Sequence, residues 1–76
     1  MGDKLVLVGT KFVQRLQEMR EEQGLTMHQL SLKLGLGVNT VYKWEVEGQV
    51  PNANYIAKVC EYFGCSADYL LGLRDE

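Results

Sequence analysis

Residues 34–48 read LGLGVNTVYKWEVEG, with two glycines near the start and the only tryptophan of the chain towards the end. Within this stretch the apolar residues Val38, Val41 and Trp44 lie three positions apart, with polar residues between them. This spacing is typical of one side of a helix, and the glycines indicate a sharp turn before it. The stretch therefore predicts a helix from about 37 to 47, and the role of its other side is the question that the rest of the chain answers.

Similar patterns along the chain predict an all-α fold. Apolar residues at helical spacing, with a glycine or a capping residue at the ends, predict a first helix at about 11–23 and a second at about 26–35. Thr26 and Gln29 have the spacing of a capping box, in which each side chain bonds a backbone amide of the other residue. Asn52 is a suitable cap for a fourth helix that ends at Gly64, and Ser66 for a short fifth helix.

Size and composition indicate a single small domain preceded by an N-terminal arm. The chain has 76 residues, of which 46% are hydrophobic and 24% charged, as in soluble globular proteins. No apolar run approaches the ~20 residues of a membrane span, and no signal-peptide pattern is present, so we expect a cytoplasmic protein without membrane contact. We assign residues 1–9 to the arm and 10–74 to the domain. The apolar residues 5–8 could fray, pack on the domain or pair with a second chain as a strand.

The residues needed for catalysis or metal binding are missing from the sequence. Cys60 and Cys65 lie five positions apart, and His28 is the only histidine, which matches neither a zinc site nor a C-x-x-C redox motif. We expect both to be small, buried apolar residues with free thiols. No phosphate-binding glycine loop, carboxylate pair or nucleophile with a base is evident. An enzyme is therefore not expected, and neither is a cofactor, a metal or a small-molecule substrate.

Charge is distributed unevenly along the chain. The net charge is −2, whereas nucleic-acid binders usually carry a basic surface. Residues 25–44, however, include Lys33, Lys43 and His28 and no acidic residue. One face of an acidic protein can thus be locally positive.

The link between the second and third predicted helices is short enough to impose a steep crossing between them. With Val41 and Trp44 packed inwards, the outward side of the third helix consists of an apolar group, an amide, a phenol and an ammonium group. These side chains belong to Val38, Asn39, Tyr42 and Lys43. Such a set suits the edges of base pairs in the major groove of DNA.

Residues 12–73 resemble the Cro/phage-repressor type of helix-turn-helix domain, also called the xenobiotic-response-element regulators. The resemblance lies in LQEMREEQGLT, then QLSLKLGLGVNTVYKWE, then a glycine and a proline, and finally IAKVCEYFGCSADYLLG. It implies that 10–74 is a five-helix, lambda-repressor-like bundle containing a helix-turn-helix. It also implies repressor-like binding of double-stranded DNA, usually as a homodimer, without a cofactor.

Carried over by position, the resemblance predicts base contacts from the third helix and phosphate contacts around it. The base-reading candidates are Val38, Asn39, Thr40 and Lys43. The phosphate-contacting candidates, to which we add a lysine and a tyrosine of this region, are Thr26, Met27, Lys33, Tyr42, Gln49, Asn52 and Asn54.

Two structural contacts are also predicted. Arg20 and Glu45 match positions that form a salt bridge in the family. The apolar residues at the C-terminal end outnumber what so short a helix can bury, which favours a dimer interface. These are Tyr69, Leu70, Leu71 and Leu73.

The sequence departs from the family pattern at several positions. Met27 stands where the family often has a phosphate-binding glutamine, Ser31 replaces an alanine, and Gly37 replaces a serine or threonine cap. The segment WEVEG is one residue longer than usual and brings Glu47 near the expected phosphate position. The alternative is therefore a helix-turn-helix scaffold that binds a partner protein and not DNA.

Overall fold

A computed structural model describes the backbone of residues 3–75 and the side chains of residues 11–75. This part of the chain contains five α-helices and no strand, which confirms the predicted all-α fold. The helices are α1 (Asp3–Glu22), α2 (Met27–Lys33), α3 (Thr40–Glu45), α4 (Ala53–Phe63) and α5 (Ala67–Leu70). No helix within residues 3–75 is both long and apolar enough to cross a membrane.

The predicted helix ends are largely where the capping residues place them. Thr26 Oγ1 accepts a hydrogen bond from the Gln29 amide at 3.0 Å, and Gln29 Oε1 accepts one from the Thr26 amide at 2.9 Å, which confirms the capping box. Asn52 caps α4 and Ser66 caps α5 in the same way, each through a 3.0 Å bond from the third residue of the helix. Gly64 ends α4 with φ +69°, a conformation that favours glycine.

The bounds of two predicted helices, the first and the third, were wrong. α1 begins at Asp3, not near Lys11, because a single glycine inside a helix costs only about 1 kcal/mol and does not end it. The helical backbone of residues 3–9 does not fit the strand option for Leu5–Val8, whose side chains, like Met1 and Gly2, lie outside the described part. The division into an arm (1–9) and a domain (10–74) stays a prediction.

The third helix is shorter than predicted, at Thr40–Glu45 against 37–47. The amide of Thr40 donates to the carbonyl of Gly37 at 3.0 Å, which closes a turn over residues 37–40. The helical hydrogen-bond pattern begins only after this turn, with the Lys43 amide donating to the Asn39 carbonyl at 3.0 Å. Val38 and Asn39 consequently lie in the turn that leads into α3 and not in the helix itself.

All five helices contribute to one hydrophobic core. Its fully or nearly buried members are Phe12, Leu16, Leu30, Leu34, Val41, Trp44, Val59 and Leu70. Trp44 packs its ring edge-on against Phe12, with ring centroids 5.8 Å apart, and against Tyr55 at 5.9 Å. Trp44 is therefore a core residue that fixes α3 between α1 and α4, and not a platform for a base.

A salt bridge joins the end of α1 to the end of α3. Arg20 Nε and Nη2 each donate to one carboxylate oxygen of Glu45 at 2.9 Å, and Arg20 Nη1 donates to the Leu25 carbonyl at 2.8 Å. The side chains are 13% and 1% exposed, so the pair is almost removed from water. A paired, planar geometry of this kind fixes both distance and orientation. It holds the C-terminal end of α3 against α1, as the sequence predicts.

The C-terminal segment packs on α1, which removes Leu70 from the predicted dimer interface. Leu70 is completely buried in the core, and Tyr69 and Leu71 are partly buried. The guanidinium of Arg15 lies over the Tyr69 ring at 4.1 Å. Of the four predicted interface residues only Leu73, at 63% exposure, faces solvent, because α1 already covers the inner side of α5.

We expect the loss of one partner of the Arg20–Glu45 pair to destabilise the fold strongly, and the replacement of both partners by apolar residues to destabilise it little. Arg20→Met should lower the free energy of unfolding by about 3 kcal/mol or more, since it leaves a buried carboxylate without its partner. Urea denaturation of this variant, of Glu45→Leu and of the double variant measures the effect. The double variant should regain most of the loss, because an apolar pair carries no desolvated charge. A double variant as unstable as the sum of the singles would contradict this account.

Candidate nucleic-acid interface

The turn between α2 and α3 is built by backbone geometry. Gly35 has φ +73°, which lets the chain reverse after α2. The amide of Leu36 then donates to the Ser31 carbonyl at 2.9 Å, and the amide of Gly35 donates to Leu32 at 3.0 Å. These bonds use carbonyl groups at the end of α2 and set the direction in which the chain approaches α3.

Ser31 fastens the start of α3 to α2. Its side chain is completely buried, its Oγ accepts a hydrogen bond from the Val41 amide at 3.0 Å, and its hydroxyl donates to the Met27 carbonyl at 3.0 Å. Val41 is the second residue of α3, so this amide is one that the helix itself leaves unpaired. Ser31 thus caps α3 from a neighbouring helix. From the sequence, Ser31 was recognised only as a replacement of the family's alanine. The signal for its role was the absence of a Ser or Thr cap at Gly37, which left α3 in need of another acceptor.

Asn39 is left without a capping role by this arrangement. It occupies the cap position of α3, yet its side chain makes no capping hydrogen bond. It is exposed, as are Val38, at 45%, and Lys43. Lys43 forms no ion pair with any of the described residues 11–75. An apolar group, a free amide and a free ammonium group therefore share the solvent side of the turn and α3.

The other predicted contacts are placed unevenly around this side. Thr40 is half-buried, and Tyr42 is exposed on α3. Met27 packs partly against the core, which limits what its side chain can reach. Gln49 and Asn54 are exposed. The side-chain oxygens of Thr26 and Asn52 are already used as helix caps, although both residues remain accessible.

Lys33 is exposed and lies beside α4. It lines a shallow cleft of about 260 Å³ with Leu34 and with three residues of α4, Lys58, Glu61 and Tyr62. Its charge therefore belongs to the boundary between α2 and α4. The sequence could not show this, because the last turn of α2 can point to either neighbour.

The loop after α3 carries apolar side chains that the sequence analysis did not assign. Val46 and Val50 are more than half exposed, and Glu47 beside them is also exposed. The amide of Gln49 donates to the Lys43 carbonyl at 3.0 Å, and Gly48 has φ +74°, so the loop folds back over the end of α3. The sequence signal for this loop was the extra residue in WEVEG, which lengthens the segment that connects α3 to α4.

The electrostatics of this side depend on Glu45. Its carboxylate is neutralised by Arg20 inside the protein and adds no negative charge to the surface. Residues 25–44 contain no acid, so Glu47 is the acidic residue that follows α3 most closely. Among the side chains that the structure describes, those of residues 11–75, no group of three or more His, Cys, Asp and Glu could hold a metal ion.

Two helices crossing through a tight turn, with an exposed polar side on the second, define a helix-turn-helix domain. The chain belongs to the helix-turn-helix family, whose family model matches residues 16–70. This agrees with the resemblance to Cro/phage-repressor domains seen in the sequence.

Two curated proteins of Bacillus subtilis (strain 168) are similar to the chain. The uncharacterized HTH-type transcriptional regulator YobD is 32% identical over 65 residues, which cover 86% of this chain and 58% of the relative. The HTH-type transcriptional regulator ImmR is 34% identical over 62 residues, which cover 82% of this chain and 48% of the relative. The chain thus spans about half the length of these relatives. No solved structure gives a significant match.

We expect Ser31→Ala to destabilise the domain by about 1–2 kcal/mol, because the buried Val41 amide loses its acceptor. Asn39→Ala is the matched control: it changes the formal cap residue of the same helix but removes no capping bond, so the loss should stay within about 0.5 kcal/mol. Urea denaturation followed by circular dichroism measures both. Equal losses for the two variants would show that Ser31 does not hold α3.

Proposed function

We propose that this chain is a sequence-specific, double-stranded DNA-binding domain of a transcriptional regulator, and that it acts as a repressor. The observation that carries the proposal is the Ser31–Val41 hydrogen bond, which anchors α3. The side chain of Asn39 therefore stays exposed and makes no capping hydrogen bond. The names of both curated relatives, which describe transcriptional regulators, support the same function. We assign the domain no catalytic role and no cofactor.

In this proposal α3 and the turn before it enter the major groove. Val38 can contact a thymine methyl group but cannot donate a hydrogen bond, so it favours T over C at one position. Asn39 can pair with N6 and N7 of adenine, and Lys43, one turn further, can reach O6 and N7 of guanine. Thr40 is half-buried, so only the exposed part of its side chain can contact a base.

Exposed polar groups on either side of α3 would hold the phosphate backbone. Tyr42 on α3 and Gln49 and Asn54 beyond it offer donors that nothing else in the described structure uses, and the accessible Thr26 and Asn52 lie at the starts of α2 and α4. Contacts of this kind position a protein on DNA without reading its sequence. Lys33, which lines the cleft beside α4, would add a positive charge on that flank. Met27 can contribute its backbone amide.

A protein-interaction module is the second candidate. The net charge of −2 and the exposed apolar pair Val46 and Val50 favour it, since DNA-binding surfaces are more strongly positive than protein-binding surfaces. The two candidates differ in what α3 touches: base pairs in the first and a partner protein in the second.

We expect Asn39→Ala and Lys43→Ala each to weaken binding to the preferred site by about 1–3 kcal/mol and to relax one or two base positions. Selection of bound duplexes from a random library, for the unaltered protein and for each variant, measures the preference directly. Since Asn39 makes no capping bond, a change in its variant reports contact and not unfolding.

Lys58→Ala is the matched control for Lys43→Ala, because it removes an equal, exposed charge from α4. It should leave the consensus unchanged. An unchanged consensus in the Lys43→Ala and Asn39→Ala variants, with uniformly weaker binding, would overturn the base-reading assignment. A folded, unaltered protein that selects no duplex would favour the protein-interaction module.

We also propose that two copies bind a two-fold site, with half-sites about one helical turn apart. Leu73 is the exposed apolar residue at the C-terminal end. In this proposal it forms the interface together with the exposed parts of Tyr69 and Leu71. Sedimentation of the protein with a two-half-site duplex should give two chains per duplex. Leu73→Glu should lower the occupancy of the second half-site and leave binding to a single half-site intact. A strictly one-to-one complex would contradict the dimer.

A further inference from the structure

We propose that Cys60 and Cys65 form a redox site, in which exchange with a small disulfide such as oxidised glutathione closes a reversible disulfide across the α4–α5 turn. This inference is independent of DNA binding. It rests on the arrangement of the two residues, both of which are free cysteines and both partly buried.

The turn between α4 and α5 brings the two cysteines together. Gly64 has φ +69°, and its amide donates to the Cys60 carbonyl at 2.8 Å. The amide of Cys65 donates to the same carbonyl at 3.1 Å. The chain therefore turns back on itself immediately after α4, and Cys65 returns to the helix turn that contains Cys60.

A turn of this type normally places two apolar side chains against each other, at the positions that Cys60 and Cys65 occupy. Both cysteines also pack against the hydrophobic core, but neither is fully enclosed. The thiols thus replace an apolar contact and keep access for a small reagent. The shared Cys60 carbonyl holds the two residues side by side, and in this proposal rotation of the side chains brings the sulfur atoms to bonding geometry.

The chemical properties of the two thiols differ. Burial, together with the charge of Cys65 and a hydrogen bond between the two side chains, raises the pKa of Cys60 to about 11. Cys60 is therefore protonated at neutral pH and is a poor attacking group, because the thiolate is the nucleophile. The first attack falls to Cys65.

The exchange is balanced in two steps. The Cys65 thiolate attacks one sulfur of oxidised glutathione, the S–S bond of glutathione breaks, and one glutathione thiolate leaves. Cys60 then loses its proton to solvent and attacks the Cys65 sulfur of the mixed disulfide, which releases the second glutathione thiolate. The protein loses two protons and two electrons, and oxidised glutathione gains the electrons as two reduced molecules.

The disulfide would fasten the turn before α5 to the end of α4, and neither of these segments belongs to α2, α3 or the turn between them. Its ring is short, so it restricts mainly the turn itself. Val59 and Leu70, which flank the turn, are fully buried, so a closed turn fixes part of the core. DNA binding should change little when the disulfide forms. The test of this inference is therefore the oxidation of the thiols and not the affinity for DNA.

The test is equilibration of the purified chain with glutathione redox mixtures, followed by acid quenching, alkylation and mass spectrometry. We expect the folded chain to lose both thiols without retaining glutathione. The equilibrium constant should be roughly tenfold or more higher in buffer than in concentrated urea, since the fold holds the thiols together and the unfolded chain does not. A constant that is equal or lower in buffer would overturn the proposal, as would accumulation of a stable glutathione adduct on the folded protein.

Two serine variants serve as controls. Cys60→Ser should stop at a mixed disulfide on Cys65. Cys65→Ser should react with oxidised glutathione more slowly at pH 7 than Cys60→Ser, because burial, the largest cause of the raised pKa of Cys60, does not depend on Cys65. Equal rates for the two would contradict the assigned order of attack. Circular dichroism of each variant checks that α4 and α5 are intact, and the comparison of folded and unfolded wild-type chain decides the proposal if either variant fails to fold.

Discussion

One buried hydroxyl group, that of Ser31, joins the start of α3 to α2. A helix of six residues has too few internal hydrogen bonds to be stable alone, and most of its amides are end groups. Ser31 Oγ accepts a hydrogen bond from one of these amides, that of Val41, and its hydroxyl donates one to the Met27 carbonyl. The start of α3 thereby becomes part of the hydrogen bonding of α2. The apolar side chains Val41 and Trp44 then fix the rotation of α3 about its axis. Everything that the exposed side of α3 can do follows from this fixed orientation.

The other end of α3 is held by charge and not by a neutral hydrogen bond. Arg20 binds both carboxylate oxygens of Glu45 and a backbone carbonyl, so all three of its donor nitrogens are used. Such a group is sensitive to geometry, because a small displacement leaves a desolvated charge unpaired. A hydroxyl cap at one end and an ion pair at the other therefore hold α3 at two points. This explains how so short a helix can present side chains in a defined register.

Local patterns in the sequence were sufficient for most of the fold. The capping box at Thr26 and the caps at Asn52 and Ser66 depend on residues three positions apart, and these predictions were confirmed. The predicted start of α1 was wrong because nothing near Lys11 stops a helix that has already begun. The predicted length of α3 was wrong because a turn and a first helical turn share the same apolar spacing.

The contact from Ser31 to Val41 spans ten residues, and no local rule describes it. The position of Leu70 likewise depends on α1, which is distant in sequence, and the direction of Lys33 depends on α4. The assignment of residues to bases and phosphates remains a prediction at every position.

The placement of Trp44 gives the chain an internal optical probe. It is the only tryptophan, it lies on α3, and its ring is buried between Phe12 of α1 and Tyr55 of α4. Its emission therefore reports the seating of α3 against the rest of the bundle and not the average state of the chain. Since the indole is only 3% exposed, a ligand on the outer side of α3 does not touch it directly. A spectral shift during a titration would thus signify movement of the helix itself, and constant emission would signify binding to a preformed surface.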